Sequence, residues 1–461
     1  MDCFTKDANV HEHDLSVAST MEKEDTVRIA PLTAISALAA ALALSGCGGS
    51  KTTSGGGALS SAESGTGTTT RVRESVRTAP AEEPDTSWYN SEGTVFQITK
   101  AGQLAGLAKL VNRGNRFEGK TIMLSADIDL SGYNSGAAFN DGKGWIPIGT
   151  KMQMFKGTFA GGGKTIRGLY INDPKLFQAG LFGRVDGGTI KELGLADVNI
   201  TAGGRTGAVA GGIAGSTIEQ CHSSGNIKGK GFVGGLVGNA GNKSNVLSSY
   251  STAAVNGENY VGGLVGEADN GSTVARSYST GNITGNEAVG GISGAVMDKD
   301  SNISNCYSTG KITCGSSGGG IAGQIADGAS VTTSWTTSEI HGRTRVGGIA
   351  GQVGGAITGC VALNPSLKTE AKGAFAGRIG GHGDGRASSA NLAFSGMKNA
   401  AGTTDWTSKG DKGKDGTDIS AAQVSNDGTI GGRFTTQNGW TTMNGMLPGF
   451  GTAIRVPDHM R

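Results

Sequence analysis

The chain has 461 residues, a formal net charge of +2, 5 % aromatic residues and 83 glycines. No long basic run accompanies the near-neutral charge, so the electrostatic footprint of a nucleic-acid binder is missing. Glycine far above its usual share of roughly 7 % suggests low complexity. Here, however, it recurs in register with Val, Ile and Leu and never as a strict Gly-X-Y triplet, which excludes collagen and flexible linker and leaves ordered repeats.

The first element is an apolar run from Ile29 to Leu44, too short for a comfortable membrane span and of the size of a signal-peptide core. It ends in Leu44-Ser45-Gly46-Cys47, which resembles the lipobox of bacterial lipoproteins. That resemblance implies lipidation of Cys47, a membrane partner through the lipid, and sorting to the outer membrane, since no Asp follows the cysteine. Glu12, Asp14, Glu22, Glu24 and Asp25 make the preceding stretch acidic where a signal peptide is basic, so translation is expected to start at Val27 and leave residues 1–26 unmade. Residues 47–84 are rich in Ser, Thr and Gly and read as a disordered tether.

Order is expected from about residue 85. Thr99 caps a predicted helix through about Val111, with Leu104, Leu107, Ala108 and Val111 on one face and Gly114 past its end. One apolar face suits a cap over the first coil of a repeat array, whose bare edge would otherwise be exposed. Strands are expected at 120–124, 127–130, 157–159, 165–171 and 189–195, so that residues 85–200 form the cap and first coils.

Residues 201–380 then repeat a six-residue phrase: Ala210-Gly-Gly-Ile-Ala-Gly215, Val233-Gly-Gly-Leu-Val-Gly238, Val261-Gly-Gly-Leu-Val-Gly266, Val289-Gly-Gly-Ile-Ser-Gly294, Gly318-Gly-Gly-Ile-Ala-Gly323 and Val346-Gly-Gly-Ile-Ala-Gly351. The second glycine advances by 23, 28, 28, 29 and 28 residues, with degenerate copies at Gly180-Leu-Phe-Gly183 and Gly373-Ala-Phe-Ala-Gly377. A period of this length signals a solenoid. A second phrase, Val274-Ala-Arg-Ser-Tyr-Ser-Thr-Gly-Asn-Ile283 and its relatives, fills each interval, giving about three short strands per repeat. That is one turn of a parallel β-helix with a rise of ~4.8 Å, and eight or so coils make a rod on the order of 40 Å. Residues 381–461 are assigned to C-terminal coils, a cap and a tail.

The Gly-Gly-Leu-Val-Gly copies, with Phe117-Glu-Gly-Lys-Thr-Ile-Met-Leu124, Trp145-Ile-Pro-Ile-Gly149 and Phe155-Lys-Gly-Thr-Phe-Ala-Gly161, resemble the GLUG family of bacterial surface proteins over roughly residues 88–450. Some members resemble immunoglobulin-A-cleaving zinc peptidases, whose His-Glu-x-x-His motif is absent here; His11-Glu12-His13 has the wrong spacing.

Stacking predicts columns. Val246, Val274, Ile303, Val331 and Ile357 form one core column, and Ile227, Val255, Ile283, Ile312 and Ile340 another. Cys221, Ser249, Ser277, Cys306, Ser334 and Cys360 form a small column whose cysteines are coils apart, beyond the ~7 Å Cα limit for a disulfide, and are expected to be free. Beside it stand His222, Tyr250, Tyr278, Tyr307 and Trp335. Strict alternation from Ile218 turns these rings inward but buries Gln220 and Arg276, whereas a bulge before the Cys/Ser column turns them outward, where Tyr250, Tyr278, Tyr307 and Trp335 are candidates for ligand contact. Both directions stay open.

Other chemistry is thin. The hydroxyl columns Ser251, Ser279, Ser308 and Thr252, Thr280, Thr309, Thr337 raise an ice face, but Lys311 and Glu339 interrupt the second column that it needs. Asp127 and Asp129 share an orientation, and Asp411 to Asp418 superficially echoes a calcium loop, yet Ala422 stands where the closing carboxylate belongs. Gly381-His382-Gly383-Asp384 with Arg386 faintly resembles a pectinase fragment without the paired carboxylates of polysaccharide cleavage. No cofactor and no metal are expected. The expectation is an all-β parallel β-helix, non-enzymatic and lipid-anchored in the bacterial envelope, that adheres to a glycan or surface protein. A polysaccharide lyase or hydrolase on the same fold, or a plain spacer, is the alternative.

Overall fold

The computed structural model describes residues 81–134, 136, 139–383 and 388–461. Cys47, the apolar run, most of the tether, Asp384 and Arg386 lie outside the described residues. The described chain is an all-β parallel solenoid with few helices.

One ladder passes through Phe96, Ile122, Phe159, Ile190, Ile218, Val246, Val274, Ile303, Val331 and Ile357, all parallel and in register, and a bridge from Thr358 to Ser389 adds an eleventh layer. This exceeds the eight or so coils expected. The extra layers lie at the ends, where insertions such as residues 130–157 hide the period. At ~4.8 Å per layer the stack rises roughly 50 Å. The second predicted core column is also observed, from Ile171 through Ile200, Ile227, Val255, Ile283, Ile312 and Ile340 to Leu367. Both columns are sealed from solvent, as branched side chains stacked on themselves should be.

The repeat coils hold four or five short strands, not three, four where two of them merge as in Ile283–Gly290. In one coil they are Asn245–Leu247, Tyr250–Ser251, Ala254–Asn256, Asn259–Gly262 and Val265–Ala268. The corners between them are made by single residues with positive φ, stacked in columns of their own. Gln220, Ser248, Arg276, Asn305 and Thr333 form one such column, and Tyr260, Ala288 and Ser317 another. Such corners are invisible to a search for glycine, the residue that usually marks this conformation.

The glycine phrase makes the tightest corner, and its true register differs from the sequence reading at both ends. Val233 pairs with Thr206 and Val237 with Ala210, so the first copy runs from Thr206 to Gly211, and the phrase starting at Ala210 is displaced by one corner. That displacement produced the anomalous step of 23. At the other end Gly347 pairs with Gly377 and Ala350 with Gly380, which aligns the last copy as Ala376-Gly-Arg-Ile-Gly-Gly381 rather than around Gly373. Arg378 therefore occupies the second-glycine position. In the inner coils that position admits no side chain: a Cβ on Gly263 would lie 2.2 Å from the Gly291 carbonyl oxygen and 2.3 Å from Ser279 Oγ. The serine column of the second phrase, inward-facing and buried, fills the space in front of these glycines, and Ser223 donates to the Gly235 carbonyl at 2.7 Å. Each phrase thus depends on the other across the core.

The helix Ala101–Asn112 covers the first layers with Leu104, Leu107, Ala108 and Val111 buried, as expected. Its N-cap is Lys100 without a side-chain cap; Thr99 instead bonds to the Gln103 side chain. At the far end the Arg378 side chain is fully buried. It donates to the carbonyls of Phe394 and Gly416, and its guanidinium pairs with Asp418 at 2.6 Å. No helix among the described residues is long and apolar enough to cross a membrane.

Candidate functional site

The positive-φ corner at Gln220, Ser248, Arg276, Asn305 and Thr333 decides which way the rings face. Ile218 points inward, the left-handed residue consumes one step, and the small column Cys221, Ser249, Ser277, Cys306, Ser334 and Cys360 returns to the interior with no exposure. Its hydroxyls accept from the previous coil, as in Cys221 N–H to Ser249 Oγ at 3.0 Å and Ser249 N–H to Ser277 Oγ at 3.1 Å. The next residue then faces out: His222, Tyr250 and Tyr278 are half-buried, while the residues after them, Ser223, Ser251 and Ser279, are buried.

Outside the sheet these rings form one stack. Centroids are 4.9, 4.8, 4.7 and 4.7 Å apart from His222 through Tyr250, Tyr278 and Tyr307 to Trp335, with interplanar angles of 4° or less. Both faces of every inner ring are covered by its neighbours, so what faces solvent is the edges and the hydroxyls of Tyr250 and Tyr278. Burial pushes the Tyr278 hydroxyl up to about 12, raises those of Tyr250 and Tyr307, and lowers the His222 imidazole. The upper rungs are closed over by the chain itself. Trp440 and Phe450 lie 6.2 and 5.8 Å from the Tyr307 ring, and Tyr307 and Trp335 are buried. The four candidate residues thus come together in one column, with only Tyr250 and Tyr278 reachable.

Sequence reasoning missed a second group, at the corner of the glycine phrase. Phe232 and Tyr260 stack at 5.2 Å and 11°, and the Arg205 guanidinium lies 5.4 Å from Phe232 and 5.9 Å from Phe177, whose ring is 59 % exposed. Facing them on the adjoining strand are Asn239 and Glu267, in register with one another. The Asn239 amide donates to Glu267 Oε2 at 3.0 Å and to Asp269 Oδ2 at 3.1 Å. Burial, and then the Asp269 charge, raise the Glu267 carboxyl to about 7. Arg205, Phe232 and Tyr260 immediately precede the glycine phrase and Asn239 and Glu267 immediately follow it, and only the structural register lines them up.

The remaining candidates serve the fold. Asp127 accepts from Thr165 N–H of the next layer, and Asp129 accepts from Ser131 N–H, closing a turn. Asp415 is buried and accepts from the backbones of Arg378 and Ser408, and Asp418 pairs with Arg378 and Lys409. Among the described residues no group of three or more His, Cys, Asp or Glu side chains is placed to hold a metal ion. Cys221, Cys306, Cys314 and Cys360 are free and buried, and burial pushes each thiol up to about 12.

The profile of the GLUG motif matches residues 257–284 and 285–313, each one full coil. The chain carries GLUG repeats. Halomucin of Haloquadratum walsbyi is 32 % identical over 182 residues, which is 39 % of this chain and 2 % of halomucin, so the chain spans a small fraction of that relative. A crystal structure from Bacteroides ovatus, provisionally named an immunoglobulin A1 protease, aligns with 77 % of this chain and 92 % of its own at 18 % identity and a TM-score of 0.43. Tyr260, Glu267 and Asp269 lie in the first of these two coils; in the second, Ala288 and Ala295 stand in register with Tyr260 and Glu267.

Proposed function

We propose that this chain is a non-enzymatic, lipid-anchored contact protein of the bacterial cell surface, which adheres to a polysaccharide or surface protein through the side of its solenoid. The observation that carries the reading is the lateral surface itself. Parallel stacking repeats outward-facing side chains at a fixed rise, so one face offers many equivalent contacts to an extended ligand. On the ring column the reachable contacts are the edges and hydroxyls of Tyr250 and Tyr278. Tyr307 and Trp335 contribute by seating the C-terminal segment. Lipidation at Cys47 and the tether that follows it would hold the rod away from the bilayer. The test is adhesion of cells displaying the chain, compared with cells carrying Cys47→Ser. Surface display and adhesion should both be lost in the variant, and unchanged adhesion refutes the anchored reading.

A second reading, a polysaccharide-cleaving enzyme, is favoured by one observation. Glu267 and Asp269 both bond to the Asn239 amide nitrogen, so those oxygens are no more than about 6 Å apart, near the separations used in glycoside cleavage. Release of reducing ends or unsaturated sugars from polysaccharide, abolished in Glu267→Gln, would establish it.

A further inference from the structure

The repeat provides its own control for what an arginine at the glycine corner requires. On the strand just past the corner, successive coils carry Asn239, Glu267, Ala295, Gln324 and Gln352, in register with one another. The rung before Asn239 is Gly212, so in that coil the side chain is missing. In the Arg345 coil the pair across the corner is complete, Arg345 Nη1 donating to Gln352 Oε1 at 3.5 Å. Arg205 holds the same place in its own coil, where the position across the corner is Gly212 and offers no side-chain acceptor.

The space left by that glycine is bounded by donors. A Cβ on Gly212 would meet Arg184 Nη1 at 3.0 Å and Gln178 Nε2 at 3.2 Å, both reaching over it from the previous coil. Across the corner stands Arg205, its guanidinium against the Phe177 and Phe232 rings and its Nε buried with no hydrogen-bond partner. Both arginines are half-buried, and among the described residues no carboxylate lies within ion-pair distance of either. Burial, and then the like charge of Arg205, lower the Arg184 guanidinium from its usual range, and Asp186 and Asp269 each oppose this less strongly. Glu267 and Asp269 are already held by the Asn239 amide, and Glu267 stands two rungs beyond Gly212, roughly 10 Å along the stack. Two cations brought together without a counter-ion, beside a missing acceptor, are complementary to an anion that a guanidinium fork can grip with paired hydrogen bonds.

We propose that Arg184 and Arg205, on either side of Gly212, bind an anionic group carried by a polysaccharide, the carboxylate of a uronate or a sulfate ester. This deepens the contact reading above and rests on it. The bound anion takes the part that Gln352 Oε1 plays for Arg345. An acidic saccharide fits better than a free ion because Phe177, 59 % exposed and 5.9 Å from the Arg205 guanidinium, offers a ring for the C–H face of the sugar.

The test is calorimetry of the full chain with oligogalacturonate, its fully methyl-esterified form, a sulfated oligosaccharide, free sulfate and oligoglutamate. The chain should bind oligogalacturonate or the sulfated oligosaccharide and ignore the neutral ester, and the probe that binds identifies the acid group. Arg184→Gln and Arg205→Gln should each weaken binding by roughly tenfold or more. Gly212→Glu supplies the missing carboxylate from within, and should weaken binding as much with both arginines in place and a thermal midpoint no lower than that of the wild type. Arg345→Gln should bind as the wild type does. The proposal is overturned if neither acidic saccharide binds, if the neutral ester binds equally, or if free sulfate or oligoglutamate binds as tightly as either saccharide. Wild-type binding by folded Arg184→Gln and Gly212→Glu overturns it too. If the site fails while the chain still adheres to whole cells or polysaccharide, the contact reading stands; if wild-type chain adheres to nothing, the contact reading itself fails.

Discussion

Replacing Gly263 with alanine would drive a methyl group into the neighbouring coil. The new Cβ would sit 2.2 Å from the Gly291 oxygen, 2.3 Å from Ser279 Oγ and 2.6 Å from Ser279 Cβ. Ordinary contact starts near 3.4 Å, so backbone on both sides must separate by roughly 1 Å, and the Leu264 N–H to Ile292 carbonyl bond of 3.0 Å is the first to lengthen. Overpacking of this kind costs about 1–3 kcal/mol, and weakening one or two ladder hydrogen bonds adds about 1 kcal/mol each. The expected loss is about 2–5 kcal/mol, read by urea unfolding followed by circular dichroism. Gly231→Ala is the matched control. Its Cβ would meet nothing closer than 3.8 Å, and its effect should stay within about 0.5 kcal/mol. If Gly263→Ala falls within 1 kcal/mol of that control, the phrase is not held by close approach between coils and the packing argument fails.

Three further outcomes follow from the sites. Glu267 has a folded-state carboxyl raised to about 7 from an unfolded value of 4.5, so its contribution to stability is complete below the unfolded value and is lost as pH rises through 7. Glu267→Gln should therefore match the wild type at pH 4 and exceed it at pH 8 by about 1–2 kcal/mol, after discounting for solvent screening of a partly exposed group; thermal melts at the two pH values check this, and an equal difference at both would refute it. Tyr278→Ala removes two ring contacts, at 4.8 and 4.7 Å, and should cost about 2–3 kcal/mol in urea unfolding without abolishing the fold. The buried thiols of Cys221, Cys306, Cys314 and Cys360 should resist a thiol reagent until the chain is unfolded, and a disulfide between any two of them, found by mass spectrometry, would contradict the register.

The core of the solenoid was legible because its determinants repeat. Val274 and Ile303 fall one period apart and stack as their spacing requires, and the three cysteines of the small column are free in the places that spacing assigned. Legibility failed where a different residue does the same physical task. Ala208 sits where later coils have a glycine, so the phrase at Ala210 was matched one corner late. Gln220 and Arg276 adopt the left-handed conformation without being glycine, and that hidden step is what sets the direction of the rings. The Glu267 corner was illegible for another reason. Its members come from four coils, and no local motif joins Phe177 to Asp269.

Arg378 carries a consequence for assembly. A spiral of parallel strands ends in a row of unpaired amides and carbonyls, which invites another chain to add on. At the second-glycine position of the last copy the molecule places a buried guanidinium, pairs it with Asp418 and bonds it to the Phe394 and Gly416 carbonyls, while the Ile379 and Gly380 amides donate to the Lys414 carbonyl of the closing segment. The side chain thereby ties the last glycine corner to the segment that closes that end of the spiral, as a keystone would.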